Sequence, residues 1–237
     1  MMLYISPPFG NYLSYKNAVR IRGTFTWKRR NGLLYHTARS LRPVEGGWRN
    51  QIGFRNKGIK NVKFNTKDIF SIGGLEPMEW HDLFSYIPKE ISLELNVGCP
   101  NVHHTDIPLS LLSEYVDKFD SIQVKLPPNV NMKQVENIVA AGVKTLHASN
   151  TIPTPKGGIS GAALKNMNLP LVSDISTMGV RVIAGGGIYN KEDIDDYRRA
   201  GATEFSISTV CISRPYNIPD IYNNAMPPLY RQSPLRE

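Results

Sequence analysis

Cysteine is almost missing from this chain of 237 residues: Cys99 and Cys211 are the only two. They allow at most one disulfide and no zinc cluster, which fits a reduced, cytoplasmic setting. Long apolar runs are missing too. No stretch approaches the roughly 18 apolar residues of a membrane helix, and no charged leader with an apolar run opens the chain, so neither an anchor nor a signal peptide is expected. Linker-like tracts, low-complexity segments and short-period repeats are absent. With 41% hydrophobic residues, the expectation is a single domain over 1–237, with 214–237 as a Pro-rich tail. The last scarcity is local. Residues 1–67 hold 14 Lys and Arg against one acid, Glu45, whereas 68–237 hold 14 against 19 acids. The asymmetry points to an anionic partner, with RNA, a phosphorylated cofactor, an anionic substrate and a subunit contact all open. A solvated basic face is the plainer alternative.

What is present is an alternation of short apolar runs with helix-period segments. Strands are expected at 3–6, 20–27, 68–74, 91–97, 121–126, 145–150, 180–184 and 204–210, and helices at 76–86, 108–119, 132–141, 162–178, 191–200 and 219–224. Pro77 falls in the first turn of its helix, Asn131 and Asn190 cap theirs, and Gly142 and Gly201 end theirs. A long basic loop is expected from Lys28 to Arg49, and a Pro-, Gly- and Ser-rich loop from Thr151 to Gly161. Eight strands mostly separated by helices, in this length, favour an α/β fold: a compact (β/α)8 TIM barrel, with a doubly wound sheet as the alternative.

In such a barrel the chemistry sits at the carboxyl ends of the strands. The residues falling there form an unusual set: Lys28, Asn50, Asn96, Cys99, Asn101, Lys125, Asn150, Thr151, Gly185, Gly186, Gly187, Ser208 and Thr209. Any one asparagine is an ordinary turn former. Four at strand ends offer converging donors and acceptors that suit a flat heterocycle with alternating C=O and N–H groups. Gly185-Gly186-Gly187 before a helix suits a phosphate, because bare backbone N–H groups can face the anion. Ser208-Thr209 ends the next strand and adds donors where barrels usually hold phosphate. The two lysines could balance negative charge on a bound ring, or simply be exposed. Cys99, just past the fourth strand, is either a buried small hydrophobe or a reactive thiol. His103-His104 lacks a set of partner ligands, so no metal is expected.

At this point the chain resembles the dihydroorotate dehydrogenase family, FMN-dependent (β/α)8 barrels, over most of its length from Ser6 to about Cys211. The resemblance is carried by Pro8-Phe9-Gly10-Asn11, Gly23-Thr24-Phe25-Thr26-Trp27-Lys28, Asn50-Gln51-Ile52-Gly53-Phe54-Arg55-Asn56-Lys57-Gly58, the segment 94–101, Val124-Lys125-Leu126-Pro127-Pro128, Asn150-Thr151, Gly157-Gly158-Ile159-Ser160-Gly161, 185–188 and Gly201-Ala202 with Ser208-Thr209. It implies that Asn50, Asn96, Asn101, Asn150 and Thr151 hold the pyrimidine, and that Gly53 and Phe54 form the loop at the substrate carboxylate. It implies that Lys28, Lys125 and Asn96 lie near the flavin, and that Gly161, Gly186, Gly187, Ser208 and Thr209 contact FMN, mostly at the phosphate. Cys99 matches the catalytic base of the soluble, cysteine-using class. The implied reaction is oxidation of dihydroorotate to orotate, Cys99 taking the C5 proton and flavin N5 the C6 hydride. A homodimer is implied by the family.

The chain departs from the family pattern in three places. Gly98 stands where a small hydroxyl residue is usual, the segment between Thr151 and Gly157 is short, and the loop after Asn101 is compact. Two other readings stay open. Gly98-Cys99-Pro100 is also similar to tRNA-dihydrouridine synthases, flavin barrels in which the cysteine is an acid and RNA the substrate. A flavin- or nucleotide-binding barrel without turnover is the third.

Overall fold

The structure, a computed structural model, describes residues 2–102 and 106–226. In chain order its strands are β1 (Leu3–Ile5), β2 (Val19–Phe25), β3 (Arg42–Val44), β4 (Gly47–Asn50), β5 (Ile69–Ile72), β6 (Ser92–Asn96), β7 (Ile122–Leu126), β8 (Thr145–Ala148), β9 (Gly158–Ser160), β10 (Arg181–Gly185) and β11 (Glu204–Ile207). The helices are α1 (Leu33–Ser40), α2 (Pro77–Tyr86), α3 (Leu109–Lys118), α4 (Met132–Ala140), α5 (Lys165–Ser176), α6 (Lys191–Arg199), α7 (Val210–Ser213) and α8 (Ile218–Ala225).

Eight strands close into a parallel barrel in the order β1, β2, β5, β6, β7, β8, β10, β11, which returns to β1. This is the (β/α)8 barrel expected, and all eight expected strands are in it. Period-two alternation sorts each strand into two faces. Leu93, Leu95, Val124, Leu126, Leu146, Val182, Ala184 and Phe205 pack into one large core with helix residues such as Trp80, Leu112, Val135 and Ile194. The other face meets across the barrel interior. There Tyr4, Ile21 and Ile183 form a separate small apolar cluster, and above them the interior turns polar, with Glu94, Gln123, His147 and Ser206 all buried.

Two stretches differ from the loops expected. Between Lys28 and Arg49 lie α1 and the antiparallel hairpin β3–β4, and within 151–161 lies β9, which completes a three-stranded sheet in the order β3, β4, β9. Helix α1 is only eight residues long and buries none of them, so it offers just two turns of pattern inside a basic stretch. The three strands are three or four residues long and rich in Arg, Pro, Gly and Ser, which leaves no alternation to read. The eighth barrel strand also stops at Ile207, because Val210 already starts α7.

The expected caps are made. Asn131 accepts a hydrogen bond from the Lys133 amide (2.8 Å). Asn190 accepts from the Asp193 amide (3.0 Å), while the Asp193 carboxylate accepts from the amides of Asn190 (3.2 Å) and Tyr189 (2.7 Å). This box fixes the start of α6 directly after the glycine turn. Replacing Asn190 by Ala should lower stability by about 1 kcal/mol, read as a reduced midpoint of urea unfolding with unchanged slope.

Candidate active site

The carboxyl ends of the barrel strands open into a cavity of about 850 Å³, the size range of small-molecule and cofactor sites. One wall is a chain of polar side chains crossing four strands. Ser71 and Thr24 share a hydroxyl contact of 3.0 Å. Asn96 Nδ2 donates to Thr24 Oγ1 (2.9 Å), Asn150 Nδ2 donates to Asn96 Oδ1 (3.0 Å), and the Thr151 amide donates to Asn150 Oδ1 (3.0 Å). Asn96 and Asn150 are buried, and each keeps unspent amide capacity. A second asparagine pair lies beside the Thr151 end of this chain, Thr151 and Asn101 both packing against Gly158. Asn101 Nδ2 donates to Asn50 Oδ1 (3.2 Å), and Asn101 Oδ1 accepts from the Gly158 amide (2.8 Å). Asn50 and Gly158 are themselves register partners of β4 and β9, so the unexpected small sheet is what holds this pair. Thr151 Oγ1 is buried with no partner among the described residues.

Below this wall lies a carboxylate out of reach of water. Glu94 Oε2 is 2.6 Å from His147 Nδ1 and accepts from Gln123 Nε2 (2.7 Å), and His147 Nε2 lies 2.9 Å from Ser206 Oγ. Burial works against ionisation of Glu94, but the His147 ring, the Lys125 ammonium and these hydrogen bonds outweigh it and hold the carboxyl down at about 2. Burial also lowers His147. The ring's Nδ1–H donates to the carboxylate, and its Nε2 shares a hydrogen with Ser206 Oγ. The stability that Glu94 contributes is complete above the unfolded carboxyl's pKa of about 4.3 and is lost as pH falls toward 2.

Cys99 follows β6 and is half-buried at the cavity. Burial pushes its thiol up, against a hydrogen bond from the Asn101 backbone and the charges of Lys125 and Arg30, which favour the thiolate. The glycine before it has a steric reason: a Cβ on Gly98 would lie 2.3 Å from Pro127 Cδ, so the ring after β7 fills the space a side chain there would need.

Across the barrel, β10 ends in the glycine turn. Gly186 adopts φ +85°, and a Cβ there would lie 2.9 Å from both Asn168 Nδ2 and Leu164 Cβ. Asn168 Nδ2 donates to the Gly185 carbonyl (2.8 Å) and Tyr197 Oη to the Gly186 carbonyl (2.7 Å). With the carbonyls held, the N–H groups of Gly186 and Gly187 have no partner among the described residues. Ser208 and Thr209 line the same end.

Of the residues singled out in the sequence, Cys99, Asn50, Gly53, Phe54, Asn96, Asn101, Asn150, Thr151, Lys125, Gly186, Gly187, Ser208 and Thr209 line this one cavity. Lys28 is exposed and outside the lining. Gly161 also lies outside it, against Gly46 and Gly47 of the hairpin turn. His103 and His104 lie outside the described residues. Arg30 and Ser206 belong to the cavity without having been singled out, and Thr24 and Arg55, noted only as parts of longer motifs, belong to it as well. The basic run Lys28-Arg29-Arg30 in an acid-poor third was the available signal.

The family model for dihydroorotate dehydrogenase matches residues 13–225. The chain belongs to the dihydroorotate dehydrogenase family and is an enzyme of the oxidoreductase class. It is 28% identical over 214 residues to the catalytic subunit of dihydroorotate dehydrogenase B (NAD(+)) of a Geobacillus species, covering 74% of this chain and 68% of that one. To the same subunit of Oceanobacillus iheyensis it is 27% identical over 218 residues, covering 76% and 72%. The fold is similar to that of a ligand-free dihydroorotate dehydrogenase from Eimeria tenella, with a TM-score of 0.74 at 18% identity, over 94% of this chain and 82% of that one. Among the described residues no helix is long and apolar enough to cross a membrane.

Thr24 holds the donor end of the asparagine chain. Thr24→Val keeps its shape and leaves a buried Asn96 N–H without its acceptor, which should cost about 1–3 kcal/mol. A drop of that size in urea unfolding free energy checks the assignment.

Proposed function

We propose that this chain oxidises dihydroorotate to orotate, with FMN bound in the cavity. The observation that carries the reading is the joining of four asparagine amides, one thiol and an unpaired glycine turn around a single cavity with no Asp or Glu in its lining among the described residues. The residues fit FMN. The free N–H groups of Gly186 and Gly187, with Ser208 and Thr209, suit its phosphate, and Lys125 and Asn96 suit the edge of its ring. The volume takes a flat ring system and a small substrate beside it.

The residues of this chain then divide the work. Asn50, Asn96, Asn101 and Asn150 meet the alternating C=O and N–H groups of the pyrimidine and hold it in one plane. Thr151, whose hydroxyl has no partner among the described residues, donates to or accepts from the same ring. The backbone at Gly53 and Phe54 borders the substrate carboxylate. Cys99 Sγ takes the proton from C5. FMN, when bound, supplies the acceptor for the C6 hydride. Lys125 brings positive charge to both the thiol and the ring. The relatives' description as catalytic subunits of an NAD(+) enzyme supports a second protein as the outlet for the electrons. A homodimer belongs to the reading on family resemblance alone.

Anaerobic titration of the purified, FMN-loaded protein with L-dihydroorotate should bleach the flavin and yield orotate. Because the Cys99 thiol is pushed up, its basic form is the minor one at neutral pH, and the bleaching rate should rise between about pH 6 and 9. Cys99→Ser should slow bleaching by about a hundredfold or more. A flavin that stays oxidised would sink the substrate assignment and redirect the search to RNA; a rate flat across that pH range would remove Cys99 as the base.

A further inference from the structure

Among the described residues, four arginines line the cavity; Arg22 is paired with Asp68 and Arg29 is exposed, and the other two, Arg30 and Arg55, have no part in the roles just assigned. Arg30 lies after β2 and Arg55 after Phe54. Their segments are joined through the backbone, the Arg30 amide donating to the Asn56 carbonyl (2.9 Å) and the Asn56 amide to the Arg30 carbonyl (3.2 Å). This pairing brings the two side chains together. Burial lowers Arg30 first, and the Arg55 charge adds to it, as expected of like charges held close in a partly dry place. Neither has a carboxylate partner among the described residues. Arg55 Nη1 donates to the Asn31 carbonyl (3.1 Å), and the Nε atoms of both arginines are buried without any partner. Among the described residues, the cavity lining contains no acid; the Glu79 carboxylate, outside the lining, acts on Arg30 from a distance but makes no ion pair with it. Unpaired buried donors on cations are costly, and an anion held between the two would satisfy them.

The position says which anion. Arg55 directly follows Gly53 and Phe54, and Arg30 is close enough to Cys99 for its charge to act on the thiol. Both arginines therefore stand at the substrate end. The glycine turn suited to a phosphate ends β10, on the far side of the barrel order from β2 and β5. Guanidinium groups match a carboxylate through paired N–H donors.

We propose that Arg30 and Arg55 together bind the carboxylate of the dihydropyrimidine, and so make this site select a ring bearing that group over a neutral one. The inference rests on the dehydrogenase reading and adds to it two residues that set specificity.

The test is binding by isothermal titration calorimetry on the FMN-loaded protein, with orotate and with its neutral carboxamide, alongside the anaerobic dihydroorotate titration. Wild type should prefer orotate, and the preference should shrink as salt rises. Arg30→Gln and Arg55→Gln should each weaken orotate by at least about tenfold while changing carboxamide binding little, and Arg55→Lys should restore part of the loss. Wild type that bleaches with dihydroorotate while both Gln variants bind orotate normally would overturn the arginine assignment and leave the activity standing. Equal losses for orotate and carboxamide would make the arginines supports of the loop, again overturning it. Wild type that neither binds orotate nor bleaches would remove the dehydrogenase reading and this inference with it.

Discussion

One buried charge organises the interior of this barrel. Glu94 is fully inaccessible, and a buried carboxylate is costly unless hydrogen bonds and opposite charge favour it; here both side-chain hydrogen bonds reach Oε2, and Oε1 has no partner among the described residues. Gln123 and His147 donate to it and Lys125 supplies the opposite charge. The network fixes three neighbouring strands by side chains as well as by backbone, since Glu94, Gln123 and His147 come from β6, β7 and β8. It also determines what lies above. Two residues on from Glu94 on the same strand face is Asn96, and two on from Gln123 is Lys125. The alternation that points the carboxylate into the barrel points the functional amide and ammonium toward its mouth. His147 passes the ordering on to Ser206, whose hydroxyl reaches Ser6 on the first strand (2.7 Å).

Above this floor the site has two opposed ends of different character. At one, a backbone turn with free N–H groups and two hydroxyl residues offers many weak, adaptable donors and no lining cation. At the other, Arg30 and Arg55 concentrate full charges beside a thiol. Low dielectric strengthens both, but the arginine end far more. The acid-poor first third of the chain is thereby explained in part: some of its excess charge faces inward, and a carboxylate nearby would cancel it.

The barrel was legible in the sequence because its strands obey simple rules. Runs such as Leu93-Glu94-Leu95-Asn96 alternate, are flanked by Gly and Pro, and are separated by helices with ordinary caps. Asn190 announced the start of α6. The candidate site was legible to the extent that it sits at strand ends: Cys99, Asn96, Lys125 and Asn150 could be located by counting along strands. What escaped was set by tertiary pairing. The hairpin β3–β4 and its partner β9 are too short and too polar to carry a periodic signal, and α1 buries none of its residues. Arg55 gained its place through a backbone pair with a segment 25 residues away, which no local pattern encodes. Lys28 shows the converse. It stands at the end of an expected strand, but β2 stops at Phe25 and the lysine points to solvent, while Arg30, two residues on, lies in the wall. Gly98 looked like a departure without cause until Pro127 was seen to occupy the space.

The sheet that joins Asn50 to Gly158 has a temporal meaning as well as a spatial one. Its strands come from distant parts of the chain, and the barrel seam beside it is closed by β1 and β11, where Tyr4 donates to Glu204 across 200 residues of sequence (2.7 Å). During synthesis the amino-terminal half of the cavity must therefore wait, with its arginines and asparagines already made, until the ribosome has delivered the last strand. The hydroxyls of Ser208 and Thr209, which complete the glycine-turn end of the cavity, follow that last strand, so the site is whole only once the barrel is closed.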